Sequence, residues 1–133
     1  MRLELANGQR IPNPDDQTVA RALRSVGEGE EYAILVHDDT GEQHFIQVAK
    51  GSAGFVVEYR EGERQYRSTP LPQDTVIKTF QAYRKQDKSW KEGVAWTDIT
   101  DEVVNKSGCR GKAGVLLGLI FVALGPGYGL LLA

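Results

Sequence analysis

Residues 113–133 contain no charged side chain, and this run constrains the chain more than any other part of its sequence. Its first part, 113–124, is apolar on every side of a helix, and a domain of about 100 residues is too small to surround such a helix. Basic side chains stand directly before it, as they do on the cytoplasmic side of a membrane span. We therefore predict a basic linker at 101–112 and a C-terminal transmembrane anchor at 113–133.

The apolar run also fits a second interpretation. Gly125 and Pro126 interrupt it after about 13 residues, a length that suits a helix buried in a protein core. A kink at proline is tolerated within a membrane helix, because neighbouring groups satisfy the freed backbone. The sequence favours the anchor, and the alternative is that the tail packs on the domain.

Charge and cysteine content narrow the choice of partner and compartment. The chain has 16 Lys and Arg against 18 Asp and Glu, and three of the basic residues (Lys106, Arg110 and Lys112) lie in the linker. The remaining domain is therefore acidic, which argues against a nucleic-acid-binding face.

The one cysteine, Cys109, excludes an intramolecular disulfide and suits a reducing compartment. Its thiol is either an acylation site before a membrane span or an unused group. With no signal-peptide pattern at the N-terminus, we expect a single-pass protein at the cytoplasmic face of the cell membrane.

Turn and cap residues predict the first elements of the domain. A hairpin is expected around Asn7 and Gly8, because both residues tolerate positive φ. A first helix is expected to begin at Asn13–Asp16 and to end at Gly27. A second helix begins at Gln73, where apolar side chains recur every three or four residues.

The intervening sequence alternates as β-strands do. Strands are predicted at 32–37, 43–49, 55–60 and 64–68, and a last short strand at 94–99. The connections among the first four are too short for a parallel crossover, so these strands form an antiparallel meander. We predict an α+β fold at 1–100, a soluble domain whose sheet of four to five antiparallel strands is covered by two helices, followed by a C-terminal hydrophobic helix.

Exposed carboxylates and one tryptophan are the residues predicted to bind a partner. An acidic loop follows the first helix, a second acidic turn follows the first central strand, and an exposed tryptophan would be a binding anchor. The predicted partner-binding residues are Glu28, Glu30, Glu31, Asp38, Asp39 and Trp90. The alternative binding face is the open side of the sheet. The simplest role for Trp90 and Trp96 is as core or core-edge aromatics, and the binding role applies if either is exposed.

A metal site is a weaker hypothesis. His37 and His44 flank the turn at 38–42, which contains the carboxylates of Asp38, Asp39 and Glu42, and these nitrogen and oxygen atoms could bind a metal ion. Spacing fixes no third ligand, so a hydrated acidic turn is the favoured interpretation. We predict no metal, no cofactor and no catalytic residue.

The sequence also argues against a catalytic pair of carboxylates. Glu58 could pair with Glu61 or Glu63, but all three are expected beside a surface turn. Solvent keeps pKa values ordinary at such a turn, whereas a catalytic acid needs burial or a charged neighbour.

Several core-type segments resemble the Imm1 immunity-protein family of bacterial polymorphic toxin systems. The matching residues are Phe45–Val48, Gly54–Arg60, Val76–Tyr83, Trp90 and Val94–Trp96, within about residues 32–99. The resemblance implies a non-enzymatic inhibitor that binds a cognate toxin domain and blocks its active site. The hydrophobic tail departs from the usual pattern of such a protein.

The sequence thus predicts a protein-binding module without enzymatic activity, immunity-like and tethered at the inner membrane face. One alternative is a membrane-tethered scaffold or regulatory subunit unrelated to toxins. A second alternative is a small metal-dependent enzyme that uses His37 and His44. The absence of a paired nucleophile and base in the sequence makes the enzyme the least favoured of the three.

Overall fold

A computed structural model of the chain describes residues 1–37 and 43–107, with side chains as far as Val103. Seven strands and four helices are present in this part of the chain. In order they are β1 Arg2–Leu5, β2 Arg10–Pro12, α1 Asp16–Ser25, β3 Tyr32–Val36, β4 His44–Lys50, β5 Phe55–Glu61, β6 Arg64–Ser68, α2 Gln73–Arg84, α3 Ser89–Glu92, β7 Trp96–Asp98 and α4 Thr100–Ser107.

All seven strands form one antiparallel sheet in the order β2-β1-β3-β4-β5-β6-β7. The predicted α+β class and antiparallel sheet are confirmed. The predicted four to five strands is too few, because the N-terminal hairpin joins the same sheet: Leu3 of β1 lies opposite Leu35 of β3. Strands β3 to β6 form the predicted meander.

The N-cap of helix α1 lies two residues after Asn13, the first residue of the predicted helix start. The side chain of Asp15 accepts a hydrogen bond from the backbone N–H of Thr18 at 2.8 Å, so Asp15 and not Asn13 is the N-cap. Asn13 lies before the helix with a φ of 46°, and its N–H donates to the carbonyl of Met1 at 2.8 Å. The chain leaves the helix through Gly27, whose φ of 88° favours glycine.

The core lies between one face of the sheet and helices α1 and α2. Alternate residues of the strands point into it and meet one apolar stripe from each helix. The largest contributors are Leu3, Val19, Leu23, Leu35, Ile46, Val48, Val57, Val76, Phe80 and Tyr83. We call this side of the sheet the helix face.

The opposite side of the sheet, the second face, is also buried. Ile34, Val36 and Phe45 form a separate apolar cluster there, each at most 3% exposed. Helix α4 lies on β6, where the Thr100 hydroxyl accepts a hydrogen bond from the N–H of Gln65 at 2.9 Å.

The C-terminal predictions fall mostly outside the described residues. The first part of the predicted linker, residues 101–107, belongs to helix α4, where Val103 is buried with Ile99. Residues 108–112 and the predicted anchor at 113–133 lie outside the described residues. None of the helices in the described residues is long and apolar enough to cross a membrane.

Candidate binding surface

The acidic loop between α1 and β3 is fixed by its own backbone. The N–H groups of Glu28 and Glu30 donate to the carbonyl of Ser25 at 2.9 and 3.1 Å, and the N–H of Gly27 donates to the carbonyl of Glu30 at 2.8 Å. The conformation favours glycine at position 27, because its φ is 88° and because a β-carbon there would stand 2.6 Å from the Lys50 side chain, which would have to move. The loop is therefore a defined structural feature.

A side-chain contact ties the loop to the N-terminal hairpin. The carboxylate of Glu30 accepts hydrogen bonds from the amide side chain of Asn7 at 2.8 Å and from its backbone N–H at 3.2 Å. The Asn7 side chain in turn accepts from the N–H of Gln9 at 2.8 Å, closing the β1–β2 turn. Glu28 and Glu31 are exposed beside this contact, so their carboxylates face solvent.

A groove of about 390 Å³ lies between this loop, the hairpin and α1. Its apolar part comes from Leu5, Ile11 and Ala22, and the side chains of Arg21 and Glu30 stand among its polar lining. The groove therefore offers a small apolar area among polar side chains, with one charge of each sign. An apolar patch bordered by polar groups is typical of a site that accepts a side chain from a partner.

The two predicted acidic segments attach at opposite ends of one strand. The acidic loop ends at Glu31, directly before Tyr32 of β3, whereas Asp38 and Asp39 follow after Val36. Five extended residues span about 16 Å, which separates the two attachment points. Asp38 and Asp39 themselves lie outside the described residues, so the structure provides Glu28, Glu30 and Glu31 as the acidic part of this surface.

Trp90 lies in the core and not on a binding surface. Its indole is 7% exposed and packs edge-on against Tyr59 at 4.6 Å and Tyr83 at 5.1 Å between ring centroids. Trp96 packs on the same Tyr59 ring at 4.7 Å, and its Nε1 donates to the carbonyl of Lys91 at 3.0 Å. The interpretation of both tryptophans as core or core-edge aromatics matches their positions.

The two histidines are neighbours in the sheet. The N–H of His37 donates to the carbonyl of His44 at 3.0 Å, and the imidazole of His37 packs on the Tyr83 ring at 5.1 Å between centroids. Among the described residues no group of three His, Cys, Asp or Glu side chains could hold a metal ion. The turn at 38–42, which includes Glu42, lies outside the described residues.

Glu58 is buried, contrary to the expectation of a solvated carboxylate beside a turn. Strand alternation turns it to the second face, where it is 0% exposed. Its Oε2 accepts from Arg67 at 2.8 Å, and its Oε1 accepts from the side-chain amides of Gln47 and Gln65, each at 3.1 Å. Burial raises the pKa of Glu58, and the Arg67 guanidinium opposes that rise.

The Glu58 carboxylate is a structural group in this arrangement. Its donors occupy the neighbouring strands β4 and β6, and Arg60 joins the cluster by donating to Oε1 of Gln65 at 3.1 Å. The residues that line the groove do not include Glu58. The sequence contained one indication that the second face is buried, because the continuous apolar run of β3 is typical of a strand covered on both faces.

No protein-family model, curated protein or solved structure matches this chain.

Proposed function

We propose that this protein is a non-catalytic protein-binding module that uses the groove and the acidic loop to hold its partner. The observation that carries the proposal is a groove of mixed polar and apolar lining, whose border is fixed by the contact between Glu30 and Asn7 and flanked by the exposed carboxylates of Glu28 and Glu31. A surface that is already ordered loses little conformational entropy when it binds.

The chemistry of this surface indicates what it would bind. The apolar lining of Leu5, Ile11 and Ala22 suits one aliphatic or aromatic side chain, and the exposed loop carboxylates suit Lys or Arg around it. A basic protein surface with one apolar anchor is therefore the partner that we propose. Nuclease and other toxin domains that act on acidic substrates carry such surfaces, which is why the immunity-like role is the specific form of the proposal.

Charge reversal on the loop tests the proposal directly. A toxin domain is first sought in the genes adjacent to this one, and the full chain and its Glu28→Lys/Glu31→Lys variant are then compared for affinity to that domain and for protection of cells that express it. We expect an affinity loss of at least about 10-fold, equal to roughly 1.4 kcal/mol, and loss of protection. Glu63→Lys/Glu92→Lys is the matched control, because both residues are exposed and belong to other elements.

Two results would reject different parts of this proposal. A native chain that neither binds the domain nor protects the cells has no immunity function. A loop variant that binds as tightly as the native chain places the contact on another surface.

We also propose that the tail at 113–133 is a single-pass membrane anchor that holds the protein at the cytoplasmic face of the cell membrane. Its support is the uncharged run with basic residues before it. Fractionation of cells that express the full chain tests this, with recovery in the membrane fraction after a carbonate wash as the expected result. Recovery in the supernatant would reject the anchor.

A further inference from the structure

The outward side of helix α1 carries positive charge. At about 100° per residue, Gln17, Arg21 and Arg24 fall on one stripe of the helix, and this stripe points away from the buried residues Val19 and Leu23. All three side chains of the stripe are exposed. Two of the three are therefore cations in contact with solvent.

Helix α2 and its C-cap present a matching stripe. Asp74, Lys78 and Lys85 are exposed and lie on the side of α2 opposite the buried residues Val76 and Phe80. Asp74 is in the first helical turn, where a carboxylate interacts favourably with the helix dipole. Four of the five charged side chains on the two stripes are therefore basic.

Side-chain hydrogen bonds at both ends hold the two stripes next to each other. Nε2 of Gln73 donates to the carbonyl of Leu23 at 3.5 Å, and Nε2 of Gln81 donates to the carbonyl of Asp16 at 3.2 Å. The start of α2 thus lies at the end of α1, and the two helices are antiparallel neighbours on the helix face of the sheet. We call the exposed side of this helix pair the outer helix surface.

Most cations of the outer helix surface have no acidic partner. Arg21, Arg24 and Lys78 form no ion pair within residues 1–37 and 43–103. In the same part of the chain this is also true of the exposed Lys50, whose side chain lies beside Gly27 at the end of α1. These four cations can therefore interact with an anionic partner without breaking an ion pair of the domain.

The other basic side chains of the domain mostly face a carboxylate. The pairs are Arg2 with Glu4, Arg64 with Asp98, Arg67 with Glu58, Arg84 and Lys85 with Asp16, and Lys91 with Glu61. The chain as a whole has a formal net charge of −2. The positive charge of the outer helix surface is thus a local excess on an acidic protein.

We propose that the outer helix surface lies against an anionic lipid surface. Lys and Arg side chains close to phosphatidylserine headgroups are attracted to them, and the two stripes supply such side chains on one side of the domain. Neither stripe contains an aromatic side chain on which nucleic-acid bases could stack, so lipid is the favoured polyanion. The proposed anchor would keep the domain close to such a surface, but the attraction does not depend on the anchor.

Attraction through this surface fixes which side of the domain meets the bilayer. Anionic headgroups repel the acidic remainder of the domain, so they favour the orientation in which the outer helix surface faces them. Salt weakens the attraction, because the Debye length is only about 8 Å at physiological ionic strength. Arg21 also lines the groove, so it is left unchanged in the test that follows.

A fluorescent label on the outer helix surface tests the proposal in the full chain. Cys109→Ser removes the native thiol, and the label is attached at Gln17→Cys or, as a reference on β7, at Thr97→Cys, both of which are exposed positions. Vesicles of phosphatidylcholine, with and without phosphatidylserine, carry a quencher on their headgroups. We expect phosphatidylserine to increase the quenching several-fold more at position 17 than at position 97, and high salt to remove this difference.

Charge-neutralising variants identify the side chains responsible. Arg24→Gln/Lys78→Gln removes two cations that have no ion pair among the described residues, and each basic residue near an anionic membrane contributes about 5-fold in affinity. The phosphatidylserine-dependent quenching at position 17 should therefore fall several-fold. Arg10→Gln/Arg64→Gln is the matched control, because it removes the same charge from exposed residues of β2 and β6 and should leave the quenching unchanged.

The possible results separate lipid binding from the alternatives. Equal quenching at positions 17 and 97, no effect of phosphatidylserine, or an Arg24→Gln/Lys78→Gln variant that behaves like the native chain overturns the proposal. Binding of an RNA oligonucleotide in place of lipid, lost in that variant, also overturns it and assigns the surface to nucleic acid. Sedimentation with pure phosphatidylcholine vesicles reports on the anchor separately, and protection against the toxin domain reports on the loop.

Discussion

At the residue scale, the end of helix α2 contains a non-glycine residue in a conformation that suits glycine. Gln86 has a φ of 61°, its N–H donates to the carbonyl of Tyr83 at 3.0 Å, and the N–H of Asp87 donates to the carbonyl of Ala82 at 2.9 Å. These two bonds form a Schellman motif with Gln86 at the position where glycine is favoured. The side chain is exposed and contributes little packing to offset the strain.

Gln86→Gly is therefore expected to stabilise the protein. Glycine removes the left-handed penalty but adds entropy to the unfolded chain, which leaves a net gain of about 0.5–1 kcal/mol in the free energy of unfolding. Urea denaturation monitored by tryptophan fluorescence measures it. Gln86→Ala is the control, because alanine keeps the penalty, and a glycine variant no more stable than the alanine variant would contradict the prediction.

Glu58 makes the free energy of unfolding depend on pH, and the direction of its pKa shift fixes the sign of that dependence. Burial raises the folded-state pKa of this carboxyl above its ordinary value of 4.5, so the folded protein binds its proton more tightly than the unfolded chain. The stability contributed by this group is therefore greatest below about pH 4.5 and falls as pH rises through the folded-state pKa.

Glu58→Gln removes this titration and isolates its effect. The free energy of unfolding of the native chain minus that of the variant should decrease between about pH 4.5 and neutral pH. Urea denaturation of both proteins at a series of pH values measures this difference. A difference that stays constant or grows with pH would show that Glu58 does not have the raised pKa.

At the element scale, helix α1 is capped by Asp15, whose contribution to stability changes with pH in the opposite direction to that of Glu58. The hydrogen bond from Thr18 lowers the pKa of Asp15 below its ordinary value of 3.8. Stability from this cap is present above pH 3.8 and is lost as pH falls through the lowered folded-state pKa. Because α1 carries the acidic loop at its end, the cap also supports the proposed binding surface.

Two substitutions separate the hydrogen bond of the cap from its charge. Asp15→Ala should lower the urea midpoint at neutral pH, because the N–H of Thr18 loses its acceptor. Asp15→Asn should keep most of the stability, since asparagine caps helices about as well as aspartate, and should remove the acid dependence of this group. Equal destabilisation by the two variants at neutral pH would contradict this account.

The elements that could be predicted are those specified by local patterns. Alternation and short turns indicated β3 to β6, and the stripe of Val76, Ile77 and Phe80 indicated α2, because each pattern arises within a few consecutive residues. Helix α4 was missed, since its first residues are polar and its burial depends on Ile99 and Val103 meeting β6.

The burial of Glu58 could not be predicted, and the sequence left Trp90 between a core role and a binding role, because both outcomes depend on contacts between distant segments. Trp90 is buried by Tyr59, which is 31 positions earlier in the chain. Glu58 is buried because the whole second face is covered, and period-two alternation identifies opposite faces without telling which of them meets water. The acidic loop was found because exposed charges between elements are a local feature.

At the scale of the whole molecule, a sheet covered on both sides should respond equally to small cavities on either side. Ile34 of the second face and Ile46 of the helix face lie on neighbouring strands and are 3% and 0% exposed. Removing one methylene from each by Ile34→Val and Ile46→Val should cost about 0.5–1.5 kcal/mol of unfolding free energy in both cases. Urea denaturation of the full-length variants measures the two losses. If Ile46→Val is costly and Ile34→Val is neutral, the second face is solvated in solution and the protein has one core layer instead of two.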